Sequence, residues 1–264
     1  MGGTGPQRWS DPATWTVSHN TAVQAYNILR GISVGPEIWG GGASAEALPL
    51  PVFTAAMDRA DSAVLRADDT SEPRYRTGLE VLAADEPASI LEDLLTAANG
   101  DVAEVGGEWR IRLGEPEGPV HFFGDGDIVI SKPQDLDPFP GLEQTHNAVT
   151  GTWPDPDSLW EAREAPPIHN PAWEEADGDL VWDEVLTDWI RRPRRLTAAL
   201  TLNACPYGQQ VQRVMRAFIN DERRFAAHHI TLGPEAAHVE PLDVICWTSA
   251  RNGYDAKLFE VQEC

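Results

Sequence analysis

Glycine and proline set the first limit on this chain: 22 Gly and 21 Pro are spread through 264 residues, about one position in six. Glycine weakens a helix or strand through its conformational freedom, and proline does so through its missing N–H. A chain punctuated this often must build its fold from many short elements. It is not low-complexity, because hydrophobic residues make up 42% and include 10 Trp and 7 Phe, enough for a sizeable core. The length predicts one or two domains. No apolar run approaches the ~18 residues that cross a bilayer, so no membrane insertion is expected.

Charge sets the second limit. Lys plus Arg number 20 and Asp plus Glu 42, a formal charge of −22. Gripping nucleic acid or an anionic lipid surface needs a basic footprint, so no specific nucleic-acid binding is expected. The excess is concentrated. Residues 154–190 carry eleven acids (Asp155, Asp157, Glu161, Glu164, Glu174, Glu175, Asp177, Asp179, Asp183, Glu184 and Asp188) against Arg163 alone. Trp160, Trp173, Trp182 and Trp189 lie in the same stretch, which reads as a long loop pinned by aromatics. Three cysteines, Cys205, Cys246 and Cys264, form no C-x-x-C pair and no bridge framework, which points to a reducing site of synthesis. The opening MGGTGPQRWS has no apolar signal run, and Pro6 stands where a myristoylation signal has Ser or Thr.

Local patterns predict the elements. Residues 1–19 read as an extended arm, followed by a helix over TAVQAYNILR that Asn20 caps and Gly31 ends. The Gly-rich GISVGPEIWGGGAS lacks the G-x-G-x-x-G order and follows no strand, so it is not read as a phosphate cradle. Pro51 suits a first helical turn, with Phe53, Met57, Ala60 and Val64 on one face. RYRTGLEVL (74–82) reads as a strand. A second helix after Asp85, Glu86 and Pro87 carries Ile90, Leu91, Leu94, Leu95 and Ala98, and stops at Asn99-Gly100. A hairpin over 102–113 turns at Gly106-Gly107, with Trp109, Ile111 and Leu113 on one side and Arg110 and Arg112 on the other.

Three segments follow: an N-terminal arm and short helix (1–48), an α/β unit of two helices on a small antiparallel sheet (49–113), and a β-rich remainder (114–264). Within the last, strands are expected at 120–123, 127–131 and 145–153, and a helix at 207–226 carrying Val211, Val214, Met215, Phe218 and Ile219 inward. The end returns to β through HHITL, AAHVEPLDVICWTS, a turn at Asn252-Gly253, and KLFEVQE.

Each group of polar residues that could carry chemistry has a plainer role. His228 and His229 are adjacent, and on a strand they point to opposite faces, so with His238 they read as structural rather than as zinc ligands. Asp125-x-Asp127 and Glu175-x-Asp177-x-Asp179 begin like a calcium loop but lack its Gly at the sixth and Glu at the twelfth position. Cys205 precedes Pro206, and Cys246 lies in an apolar run, the setting of a buried small hydrophobe. Arg191, Arg192, Arg194 and Arg195 follow the acidic stretch and read as neutralising it, an anion site being the rival. The four tryptophans admit a sugar-stacking site, with loop anchoring as the plainer role. Carboxylate pairs for glycoside hydrolysis are numerous but none is marked by spacing. No catalytic, cofactor-binding or metal-ligating residue is singled out, and the chain is not expected to be an enzyme.

An ordered series of segments carries a resemblance: NTAVQAYNILRG, LPLPVFTAAMDRADSAV, RYRTGLEV, EPASILEDLLTAANGDVAEVGGEWRIRLG, FFGDGDIVISKPQDLDPFPGLEQTHNAVTGTWPDP, VQRVMRAFINDERR, and VEPLDVICWTS with KLFEV. Together they cover about residues 18–264 and resemble a bacteriophage tail protein family. Its members include tail tip attachment (host specificity) proteins and the large baseplate proteins of gene transfer agents. The resemblance implies an α+β fold: β-barrel-type hub modules with an inserted small α/β unit of two helices on an antiparallel sheet. It also implies a structural role at the tail tip or baseplate hub, where DNA passes through a ring. The partners implied are the chain itself, as a homotrimer, and neighbouring tail and baseplate proteins. The place implied is the virion tail of a phage or prophage, the chain being made in the bacterial cytoplasm, and no cofactor is implied.

Three departures stand out. Thr21 replaces the family's Pro after Asn20. Leu242 occupies the Gly of a Pro-Gly-Asp turn, which puts that turn in question because Leu tolerates positive φ poorly. Family proteins are also far longer, which fits a fragment, a truncated prophage gene or a split module. Two rival functions remain open: a tail-associated cell-wall hydrolase (glycosidase or peptidase), and a glycan- or receptor-binding module using the 154–190 tryptophans.

Overall fold

The structure is a computed structural model that describes residues 11–14, 16–34, 36–66, 68–116, 118–139, 141 and 144–264. The chain divides into two compact units, Met1–Asp135 with His228–Cys264, and Leu136–Ala227. Its class is α+β. Among the described residues the strands form open sheets of two or three strands, and none closes into a barrel. Most of the expected N-terminal arm, residues 1–10 and 15, lies outside the described residues; Pro12–Thr14 form one 3-10 turn.

In the first unit, helix α1 (Thr21–Arg30) starts where Asn20 Oδ1 accepts from Val23 N at 3.2 Å. The same side chain donates from Nδ2 to Met57 O at 2.9 Å, so one cap fixes two helices. Strands β1 (Ile32–Val34) and β2 (Glu37–Trp39) form a small hairpin. Helix α2 (Leu50–Asp61) buries Phe53, Ala56, Met57 and Ala60. It ends before Val64, because Ser62 Oγ donates to Arg59 O at 2.6 Å and the chain turns extended there. Val64 then lies in β3 (Ala63–Leu65), paired with β4 (Ser71–Pro73).

The strand expected over 74–82 reduces to a single bridge at Arg76. The reason is local: Thr77 N donates to His19 O at 2.8 Å and Thr77 Oγ1 to Gln24 Oε1 at 2.8 Å, so this segment binds the start of α1 instead of a ladder. Thr21, which stands where the related segment has Pro, is buried, with Oγ1 at 3.2 Å from Thr77 Oγ1. Helix α3 (Pro87–Thr96) buries Ile90, Leu91, Leu94 and Leu95. It is followed by β5 (Gly100–Val105) and β6 (Glu108–Leu113), joined at Gly106 and Gly107 with φ of 60° and 87°. Both values are positive, as a two-residue type I′ turn requires. All three helices take part: α1 packs on α2 and α3, α2 on β6, and α3 on β5.

The same unit holds a second sheet. Strand β7 (His121–Gly124) runs parallel to the later β15 (Val244–Ser249), which pairs antiparallel with β16 (Tyr254–Glu260). Phe123, Ile128 and Trp247 form its core, flanked by Ile230, Leu232, Ile245, Tyr254 and Phe259. The strand expected over 127–131 is replaced by a 3-10 turn at Asp125–Asp127 and a bridge at Ile128.

Before β15 the chain turns at Glu240–Asp243, where Asp243 N donates to Glu240 O at 3.1 Å and Leu242 has φ 74°. Proline at the second position and positive φ at the third define a type II turn. The turn that the Leu substitution put in question is therefore made, at a conformational cost. Left-handed backbone costs an L-residue about 1–2 kcal/mol, and glycine returns about 0.5–1 of that through unfolded-chain entropy. Leu242→Gly is expected to raise stability by about 0.5–1 kcal/mol, read as an upward shift of the urea midpoint at unchanged m-value.

The second unit begins within β8 (Asp135–Asp137) and ends within β14 (Ala227–His229). Its central strand, β9 (Ala148–Asp155), pairs antiparallel with β10 (Glu161–His169) and parallel with β13 (Thr197–Thr201). Helix α5 (Gly208–Asp221) buries Val211, Val214, Met215 and Ile219 and packs on β9 and β10. Gly151 on β9 allows this approach, since a Cβ there would lie 2.7 Å from Met215 Sδ.

The single long loop expected over 154–190 is not present. The segment folds into most of β9's end, β10, a short helix α4 (Pro171–Ala176), and a hairpin of β11 (Asp179–Asp183) with β12 (Asp188–Arg192). Pro166 and Pro167 do not break β10, because its register shifts between Ala165 and Ile168, and a bulge is where a sheet tolerates missing donors.

Candidate interaction surface

Most of the polar residues raised by the sequence are engaged within the fold. His228 Nε2 lies 2.9 Å from Tyr254 Oη, and its ring meets Trp247, Tyr254 and Phe259 edge-on. His229 is exposed, and His238 Nδ1 lies 3.0 Å from Glu235 O. Asp125 accepts from Trp247 Nε1 at 3.2 Å, and Asp127 from Gly124 N at 2.8 Å. Hydrogen bonds from Ser249, Arg251 and Trp247 hold the Asp125 carboxyl below its usual range. Cys205 and Cys246 are buried. Burial, then the Asp243 and Glu240 carboxylates, pushes the Cys264 thiol up, away from the reactive thiolate. Among the described residues no group of three or more His, Cys, Asp or Glu is placed to hold a metal ion.

His228 carries a pH dependence. Burial, then the positive charge of Lys257, lowers its pKa below 6.5. The folded state thus binds a proton less readily than the unfolded chain. Stability is complete above about pH 6.5 and falls as pH drops below it towards the depressed folded pKa. The urea midpoint is expected to fall between pH 7.5 and 5.5 in the natural chain, and to fall less in His228→Gln.

Arg191, Arg194 and Arg195, which follow the acidic stretch, are tied to it. Arg195 pairs with Glu174, Nε to Oε1 at 2.6 Å, and Arg194 lies 3.6 Å from Asp179. Arg191 donates to the Ala176 and Gly178 carbonyls at 2.8 and 3.1 Å. Arg195, then His169, lowers the Glu174 pKa. Asp177 takes two bonds from Arg223, at 2.8 and 3.2 Å, and one from Asn147 Nδ2 at 2.9 Å. Beside these groups lies a cleft of about 60 Å³ lined by Asn147, His169, Asn170, Trp173, Arg216 and Asn220, among others. That is a small fraction of the roughly 300–1,000 Å³ of a ligand site. Asn147 and Asn170 are moreover occupied, the one with Asp177, Arg194 O and Leu196 N, the other in capping α4.

Among the exposed apolar residues of the second unit, which include Phe139, Leu159 and Trp160, five lie together on the β11–β12 hairpin. Its register pairs Trp182 with Trp189 and Leu180 with Arg191 on one face. The two indoles meet edge-on at 5.8 Å, yet Trp189 remains 61% exposed. At the tip Val185 and Leu186 are 91% and 65% exposed. The tip is well made: Asp183 Oδ1 accepts from Val185 N at 2.8 Å and Leu186 N at 3.0 Å, and these bonds lower the Asp183 pKa. Thr187 closes the loop at φ 53°, an unusual conformation for a β-branched residue. The sequence marks both tryptophans but not their pairing across two strands, which only the register supplies.

Residues 86–264 match the model of a family described as "Putative phage tail protein". No curated protein matches the chain. Among solved structures, the crystal structure of the tail protein from Neisseria meningitidis MC58 aligns with a TM-score of 0.43 and 12% identity, over 73% of this chain and 52% of that one. The chain therefore spans about half the length of that protein.

Proposed function

We propose a function from one premise: the chain belongs to the phage tail protein family whose model matches residues 86–264. Membership makes it a component of a virion tail with a structural role. Our finer reading is a tail tip or baseplate hub protein that assembles the distal end of the tube through which DNA passes. In this reading it forms a homotrimer and joins neighbouring tail proteins.

The observation that carries the reading is the family match, which covers more than half of the chain. Two physical features support it. The described sheets are open and two- or three-stranded, and open edges are templates for pairing with another chain. Barrel-type modules would then close between copies rather than within one. The charge of −22 suits a wall that DNA slides past, since like charges repel and nothing holds the phosphates.

Light scattering on the purified chain, together with binding to the tail proteins encoded beside it, tests the reading. Three-fold mass and capture of a tail neighbour are the expected results. A monomer indifferent to every tail component overturns it.

A further inference from the structure

We propose that the β11–β12 hairpin is a docking peg that seats in an apolar groove rimmed by Lys or Arg on a neighbouring tail protein. The proposal rests on the tail-protein reading and names the surface that makes the contact.

Leu180, Trp182, Val185, Leu186 and Trp189 are all exposed within one short hairpin. Part of this has an internal explanation: a two-stranded hairpin is marginal alone, and a cross-strand indole pair braces it. That accounts for Trp182 and Trp189. It does not account for Val185 and Leu186, which lie beyond the pair, at a tip whose backbone is already held by Asp183. Tips held by backbone bonds are ordinarily polar, so the apolar pair there is surplus to folding.

Charge selects the occupant. Asp183, Glu184 and Asp188 flank the apolar tip along the chain, and no base lies between Val181 and Ile190. A matching groove must supply cations at its rim. A second copy is a poor source of them. Its net charge is −22, and beside the peg Arg195 is engaged with Glu174, Arg194 with Asp179 and Arg191 with two carbonyls, which leaves Arg192, at the base of β12, as the exposed base there. The peg thus fits a different, more basic protein.

The test uses the full chain and each tail protein encoded beside it, with affinities read by biolayer interferometry. Val185→Ser with Leu186→Ser, and separately Glu184→Lys, change the tip without touching the Asp183 bonds. The first is expected to weaken binding about 10- to 100-fold and the second about 3- to 10-fold, with unchanged circular dichroism. Binding of the natural chain is expected to weaken as salt rises from about 50 to about 500 mM, as for a charged rim. If the natural chain binds a tail neighbour and both variants bind equally well, the peg is wrong and the tail reading stands. If the natural chain binds none, the tail reading falls and the peg with it. If the variants instead split a self-associated form while leaving the neighbour bound, the occupant is a second copy and the proposal is overturned.

Discussion

Replacing Asn147 by aspartate is expected to destabilise the Leu136–Ala227 unit by about 3–5 kcal/mol at neutral pH, the scale of an uncompensated buried charge. Asn147 is fully buried just before β9. Its Nδ2 donates to Asp177 Oδ2 and to Arg194 O, both at 2.9 Å, and its Oδ1 accepts from Leu196 N at 2.8 Å. One amide thus joins the start of the central strand to the end of α4 and to the approach to β13. A carboxylate of the same shape keeps the Leu196 bond but turns two donors into acceptors. It then faces the Asp177 carboxylate, whose Arg223 partner already serves one negative charge.

The new carboxyl escapes part of this by taking a proton, which raises its folded pKa above the ordinary value of about 3.9. The sign follows: the penalty is small below that pH, where both states are protonated, and grows as pH rises through the window up to the raised pKa. Asn147→Ala has no such window and is expected to cost about 2–3 kcal/mol at any pH, from lost bonds and stranded partners. Urea unfolding of both variants at about pH 4.5 and 7.5 separates the two. An aspartate variant whose loss is the same at both pH values would show that Asp177 does not feel position 147.

The parts of this fold that were legible in the sequence are those fixed by neighbours in the chain. Asn20 caps α1 and Gly31 ends it at φ 89°; Gly106 and Gly107 turn the β5–β6 hairpin; the apolar spacing of α3 and α5 places their buried faces. These are signals within a turn or two of backbone. The illegible parts depend on distant partners. Strand β9 takes β13 as a parallel neighbour, and β15 takes β7 across more than a hundred residues, so neither pairing has a local mark.

The acidic stretch misled for a related reason. Its prolines and carboxylates suggest a loop, but β10 absorbs Pro166 and Pro167 in a bulge, and the peg turns on Asp183 and a left-handed Thr187 where Asn-Gly would have announced a hairpin. Trp182 and Trp189 were visible as residues and invisible as a pair. The resemblance, by contrast, located the strain at Leu242, since only a comparison with Gly shows that a turn demands positive φ there.

Trp247→Ala is expected to cost the first unit about 3–5 kcal/mol, the range for truncating a buried tryptophan. The indole is 3% exposed and stacks on Phe123, its register partner on β7, at 5.3 Å between centroids. Tyr254 meets it edge-on at 5.3 Å and His228 at 4.8 Å, while Nε1 donates to Asp125. Alanine therefore removes the shared wall of β7, β14 and β15 and one of the hydrogen bonds that Asp125 accepts. Trp247→Phe keeps most of the wall and is expected to lose about 1–2 kcal/mol, from the Asp125 bond and the smaller ring. A second readout separates this arrangement from cavity formation in general. Trp247 contributes to the burial that lowers the His228 pKa, so in Trp247→Ala water reaches the imidazole and its pKa returns towards 6.5. The loss of stability between about pH 7.5 and 5.5 should then shrink along with stability itself. If the truncated variant keeps the full pH dependence of the natural chain, the burial of His228 comes from Tyr254 and Phe259 and not from Trp247.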